Sequence, residues 1–163
     1  MRSESILSFA AGIGVAARAC GINFDARADY PYAAYDKLDF KIQTEEGCDV
    51  YARFWVRIKE AMISFELLEK VLKALPESPV GENKHTEIKL AANSYALGVT
   101  EGWRGDIIYF VATDQNGQVS RVDVRDPSLL NWTAVPYAVK GNIVPDFPLI
   151  NKSFNLSYSG NDV

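Results

Sequence analysis

The sequence predicts an α+β fold, and three observations carry that expectation. A helical periodicity runs unbroken from Asp49 to Leu75, two β-rich runs flank an Asn-Gly turn, and a proline-punctuated region follows them. Val50, Phe54, Ile58, Met62, Phe65, Leu68, Leu72 and Leu75 recur at steps of three and four, which lines them along one side of a helix. Asp49 is placed to cap the first turn. Pro76 is placed to stop the helix, because proline disfavours helical backbone in the residue before it. At about 1.5 Å per residue such a helix runs about 40 Å, a length that packs within a bundle larger than this chain supplies.

The β-rich runs are Asp106 to Thr113 and Gln118 to Val124, joined through Asp114-Gln115-Asn116-Gly117. Asn-Gly readily adopts the positive φ of tight hairpin turns, so a hairpin lobe is expected over about 104–125. Ahead of the long helix, residues 5–20 read as a small-residue helix ended at Gly21. Asn23 to Phe40 reads as an ordered loop dense in aromatics and acids, with one short turn and a short strand near 40–43. Pro76 to Lys84 is a polar connector. After the hairpin, Asp126-Pro127-Ser128 suits the start of a helix reaching about Lys140, kinked or shortened at Pro136. Gly141 to Val163 shows little periodicity. Residues 1–163 are expected to form one domain or part of one, helical over 1–80, with the hairpin lobe and tail over 85–163.

Composition narrows the function. Apolar residues make up 48% and charged residues 23%, and the net charge is −4 with basic and acidic residues interspersed, so no nucleic-acid partner is expected. Cys20, Cys48 and the single histidine, His85, cannot close a four-ligand zinc or iron–sulfur site. Two unpaired cysteines fit a reducing compartment, with one disulfide as the alternative left open. The apolar run Ile6 to Ala17 superficially imitates a targeting segment. Glu4, Ser8, Gly12 and Gly14 argue for a buried helix instead, and the run is too short to span a bilayer.

Each local motif has a plain reading. Gly12-Ile13-Gly14-Val15-Ala16-Ala17 matches the dinucleotide pattern GxGxxA, but no convincing strand precedes it and no βαβ unit follows. Tight packing is the expected use of those glycines, and a small nucleotide-binding enzyme is the outlying alternative. The acidic pairs and His85 lie in no arrangement that separates an acid from a base. Glu101-Gly102-Trp103-Arg104-Gly105-Asp106 places an arginine between glycines, either as an anion-facing donor or as one half of a turn-shaping ion pair. Asn151 to Ser159 interleaves polar and apolar residues, as a surface arm or as a polar lining within a larger protein.

Several segments in order resemble one known family. Cys20-Gly21-Ile22-Asn23-Phe24-Asp25-Ala26-Arg27, Tyr30-Pro31-Tyr32 and Tyr35-Asp36-Lys37-Leu38-Asp39-Phe40 resemble the complex I core subunit related to hydrogenase large subunits. Gly47-Cys48-Asp49-Val50-Tyr51-Ala52-Arg53-Phe54, with Arg57 and Glu60, continues that resemblance. So do Glu101 to Asp106 and Val124-Arg125-Asp126-Pro127-Ser128 with Asn131. The resemblance covers nearly the whole chain. It implies the C-terminal part of a hydrogenase-large-subunit-like helical bundle, of the kind found in formate-hydrogenlyase-like complexes.

Nickel–iron hydrogenases end near a D-P-C-x-x-C motif that binds the metals. Laid on it, Ser157 and Gly160 stand where the cysteines should be, and Asn155 and Leu156 where Asp and Pro should be. A hydroxyl replaces a thiolate poorly and glycine offers no ligand, so no metal and no cofactor are expected in this chain. Arg104 is the site residue that the resemblance transfers. The matching arginine lies beside the iron ligands in hydrogenases, and its region abuts the quinone cavity in complex I.

The implied partners are an iron–sulfur small subunit carrying the clusters, the N-terminal remainder of the large subunit and, indirectly, membrane subunits. Homodimer formation is expected of the isolated fragment. The implied setting is cytoplasmic, peripheral to the inner face of the cell membrane. The parent complex would be an oxidoreductase, and the fragment alone inactive. A catalytically inactive scaffold is the rival reading.

Overall fold

The computed structural model describes residues 12–75 and 88–162. The connector from Pro76 to Lys84, His85, and the first part of the expected 5–20 helix lie outside them. The dominant element, α3, runs Val50–Ala74, after two single-turn helices, α1 (Val15–Arg18) and α2 (Ala26–Asp29). Asp49 caps α3 as expected, its carboxylate accepting from the Ala52 N–H at 2.7 Å.

The helix expected over 5–20 is interrupted. Gly14 has a φ of +61°, so α1 starts only at Val15, and Gly21 turns the chain with a φ of +86°. The 23–40 segment holds two turns rather than one, α2 and a 3₁₀ turn at Tyr35–Lys37, and residues 40–43 form no strand.

The hairpin lobe is larger than predicted. β1 (Tyr95–Gly102), β2 (Gly105–Thr113) and β3 (Val119–Arg125) form an antiparallel sheet in that order. β1 was hidden in the sequence by Gly98 and Gly102, which dilute its β signal. The Asn-Gly hairpin is present. Asp114 accepts from the Asn116 and Gln118 N–H groups at 2.8 and 2.9 Å, and Gly117 takes a φ of +74°.

After the sheet come α4 (Pro127–Asn131), α5 (Val135–Ala138) and α6 (Phe147–Phe154). The expected helix to Lys140 is thus broken into pieces by a 3₁₀ turn at Trp132–Ala134, with Pro136 in the first turn of α5. The tail is more regular than its weak periodicity suggested. Pro145 and Pro148 sit in first turns, where no intrahelical N–H is required.

Among the described residues two small cores hold these pieces. Val15 and Ala19 pack with Ala52 and Val56, joining α1 to α3. Val135, Ile150 and Phe154 form the other, with Trp132, Ala138 and Leu156 around them. Most of the predicted stripe of α3 lies outside both cores: Val50 packs against the second, but Phe54, Met62, Phe65, Leu68 and Leu72 are 56–72% exposed. The chain buries Ala52, Arg53, Val56 and Leu67 of α3 and leaves most of its large apolar residues bare. No described helix is long and apolar enough to cross a membrane.

Candidate functional site

Arg104 sits in the tightest connection of the fold. Trp103 and Arg104 form the two-residue turn between β1 and β2, closed by the Gly102–Gly105 pair. The buried Asn131 side chain holds the turn from behind. Its amide donates to the Arg104 and Ile13 carbonyls, each at 3.3 Å, and its oxygen accepts from the Ile13 N–H at 2.8 Å. Gly14 completes the grip. A Cβ there would lie 2.3 Å from the Gly105 Cα and 2.4 Å from the Arg104 carbonyl oxygen. The GxGxxA glycines therefore serve close packing, and backbone fills the space a pyrophosphate would need.

The Arg104 side chain reaches the end of α6. Its Nε donates to the carbonyl of Asn155, the left-handed residue closing that helix. Arg57 Nη2 donates to the Phe154 carbonyl at 3.0 Å. Arg53 Nε donates to Ser153 Oγ at 2.8 Å, and its guanidinium lies 4.1 Å from the Phe154 ring centroid. Three guanidinium groups thus converge on the last turn of one helix, whose unpaired carbonyls supply only about half a negative charge. Among the described residues none of the three is in an ion pair, whereas Arg18, Arg27, Arg121 and Arg125 all are.

The electrostatics reflect that imbalance. Burial and then the neighbouring Arg57 pull Arg53 down to about 10, against the attraction of Asp49. Arg57 is lowered first by burial and also by Arg104, with Glu60 opposing. Its Nε is buried with no acceptor. Such a cluster favours negative charge nearby.

A second network sits beneath the hairpin. Arg18, 1% exposed, donates from Nε to Glu60 at 2.5 Å and from Nη1 to Glu101 and the Phe24 carbonyl, each at 3.0 Å. Asp25 lies 3.7 Å from Nη1 and is itself clasped through both oxygens by Arg27 at 2.9 and 2.7 Å. Burial alone would lower Arg18, but Glu60, Glu101 and Asp25 together outweigh it and raise it. Glu101 is raised by burial despite Arg18, and its second oxygen accepts from the Ala26 N–H at 3.0 Å. Glu101 therefore ties β1 to α1 and α2, one strand residue away from the Trp103–Arg104 turn.

Ser157 and Gly160, which the resemblance sets against metal-binding cysteines, are tied into local contacts. Ser157 Oγ accepts from the Gly160 N–H at 3.0 Å and shares a hydrogen bond with Ser159 Oγ at 3.1 Å. The Ser157 N–H donates to Ser128 Oγ at 3.0 Å. A Cβ on Gly160 would lie 2.5 Å from the Asp126 carboxyl carbon and 2.7 Å from both its oxygens. Asp126 is itself fixed as the cap of α4, accepting from the Ser128 N–H at 2.7 Å. The residues present therefore do not fit a nickel site built on two thiolates: one donor is a hydroxyl, and a carboxylate fills the space of the other. Among the described residues no group of three or more His, Cys, Asp or Glu side chains is placed to hold a metal.

A Ser157→Cys/Gly160→Cys variant is accordingly expected to retain no nickel after desalting, as read by elemental analysis. Gly160→Cys alone should destabilise by about 2 kcal/mol through overpacking, read as a lower melting midpoint.

Comparison with known proteins places the chain in a family. A family model described as respiratory-chain NADH dehydrogenase, 49 Kd subunit, matches residues 2–96 and 86–162. The chain belongs to that family. Formate hydrogenlyase subunit 5 of Escherichia coli is 35% identical over 150 residues, covering 92% of this chain and 26% of the relative. The carbon monoxide-induced hydrogenase of Rhodospirillum rubrum is 34% identical over 143 residues, 88% of this chain and 39% of the relative. NADH-quinone oxidoreductase subunit 4 of Thermus thermophilus is 32% identical over 166 aligned residues, 87% of this chain and 41% of the relative. The chain thus spans between about a quarter and two fifths of these relatives' length. Both sides of the expected resemblance, hydrogenase and complex I, are represented among them.

Arg104, Ser157 and Gly160 all lie within the matched region. The fold joins Arg104 to their segment through the Asn155 carbonyl. Sequence reasoning assigned no role to Arg18, Asn131 or Asp126 in the site. Arg18 carried a signal, as an isolated charge in the small apolar segment Val15 to Cys20. Asn131 and Asp126 act through contacts far from their sequence neighbours.

Proposed function

We propose that this chain is the metal-free C-terminal portion of a large subunit in a membrane-associated oxidoreductase complex of the complex I and hydrogenase type. In this reading it supports electron transfer from an iron–sulfur partner, to quinone as acceptor, coupled to ion translocation. The observation that supports it most directly is the convergence of Arg53, Arg57 and Arg104 on the end of α6 without a carboxylate. Arg104 then neutralises negative charge that develops on a reduced acceptor, and orients the polar segment through Asn155.

The complex sits on the inner face of the cell membrane, with clusters in the small subunit. The N-terminal remainder of the large subunit covers the bare side of α3. That side, from Phe54 to Leu72, also favours the rival reading of an inactive scaffold, and leaves the isolated chain prone to pair with itself.

One substitution separates the two. Arg104→Ala in the assembled complex is expected to lower turnover about a hundredfold while subunit stoichiometry stays intact. Normal turnover with normal assembly would leave the scaffold reading.

A further inference from the structure

Cys20 and Cys48 are a bridged pair that the proposed function leaves unused. Cys20 lies just beyond α1 and Cys48 just ahead of the Asp49 cap, 28 residues apart. The expectation of unpaired thiols is corrected here: the two are bridged, with Cα atoms 4.4 Å apart, within the span a disulfide closes. Main-chain bonds hold the two segments together independently of sulfur. The Cys48 N–H donates to the Ala19 carbonyl and the Glu45 N–H to the Arg18 carbonyl, each at 2.9 Å. Bringing the cysteines together thus needs no bridge, and opening the bridge need not separate them. Both residues are half-buried rather than enclosed in a core.

We propose that Cys20–Cys48 is a site of reversible thiol–disulfide exchange with a low-molecular-weight thiol and its disulfide, and that its state sets the seating of Arg53. A thiolate attacks one bridge sulfur, the S–S bond breaks, and its electron pair leaves on the other cysteine. A second thiolate attacks the external sulfur of the mixed disulfide and releases the remaining cysteine. Two external thiols are oxidised to one disulfide, the bridge is reduced to two thiols, and these take up the two protons the reagents lost.

The consequence travels through Cys48. Its φ of +54° lies in the left-handed region that a cysteine rarely adopts. Its carbonyl accepts from Arg53 Nη1 at 3.1 Å, and Arg53 in turn holds Ser153 of α6. Opening the bridge removes one of two ties on Cys48 and leaves only its N–H bond to Ala19, so the acceptor of Arg53 is held less firmly at the edge of the arginine cluster. The exchange chemistry does not depend on the function proposed above; only its consequence for turnover does.

The test equilibrates the purified complex in mixtures of reduced and oxidised glutathione, traps free thiols with a maleimide, and reads Cys20 and Cys48 by peptide mass spectrometry. Both should be tagged in excess reduced glutathione and neither in excess oxidised glutathione, with circular dichroism unchanged. Cys20→Ser should leave Cys48 carrying one glutathione. Amide exchange over residues 48–53 should rise about tenfold on reduction, and stay constant in the Cys20→Ser/Cys48→Ser variant. Thiols that stay free in excess oxidised glutathione, or a bridge that opens only in denaturant, would overturn the exchange. Exchange without a change in amide protection would overturn the link to Arg53.

Discussion

Arg18→Met should destabilise the chain by about 3–5 kcal/mol, the cost of leaving buried charge without its partner. The melting midpoint should fall by on the order of 10 °C in a chain of this length. Methionine keeps most of the side-chain volume, so the loss reports the charge rather than a cavity. Arg18 is what makes three acids tolerable beneath the hairpin. The side chains of Asp25, Glu101 and Glu60 are 1%, 5% and 15% exposed, and each lies within 3.7 Å of its guanidinium. Lysine should rescue only part of the loss, because a single ammonium cannot serve Glu60, Glu101 and the Phe24 carbonyl in their three directions.

The pH dependence carries a second readout of the same substitution. Asp25 is held below its ordinary value by Arg27 and Arg18 against its own burial, so its contribution is present at neutral pH and lost as pH falls through the lowered value. Glu101 is raised by burial, so it opposes folding when ionised and is relieved as pH falls through its raised value. Without Arg18 both carboxyls shift upward. The variant should therefore regain more stability on mild acidification than the parent does, and thermal melts across the weakly acidic range would show the difference. A variant that tracks the parent at every pH would mean that Arg18 does not organise these acids.

Gly14→Ala should be nearly as damaging, although glycine has no side chain to lose. Its φ of +61° is strained for any L-residue, and the added methyl would meet backbone, not a movable side chain. The turn carrying Arg104 would have to retreat. A loss of about 3 kcal/mol or more is expected, in the range typical of backbone conflicts. Turnover of the assembled complex should fall with it, because the displaced residue is Arg104. Gly98→Ala is the matched control, since nothing lies within 4 Å of a Cβ there. Equal stability of the two alanine variants would show that the Gly14–Arg104 contact is not tight in solution.

Elements whose information is local were legible in the residues alone. The long helix and its Asp49 cap could be read because three- and four-residue periodicity and capping act within a few turns of chain. The Asn116-Gly117 hairpin and the Asp126-Pro127 helix start were legible for the same reason. That Ser157 and Gly160 are not cysteines is a matter of residue identity and needed no fold.

The remaining features emerge only from packing. β1 exists because β2 pairs with it, and its own glycines argue against a strand. The side of α3 that is buried was set by the small residues of α1, against the stronger apolar stripe. Arg18 became a hub through acids 7, 42 and 83 positions away in sequence, and Cys20 met Cys48 across 28. The contact between Asp126 and Gly160 required the start of α4 to lie against the tail. Charge pairing and steric exclusion act through space over a few ångströms, so residues remote in the chain settled them.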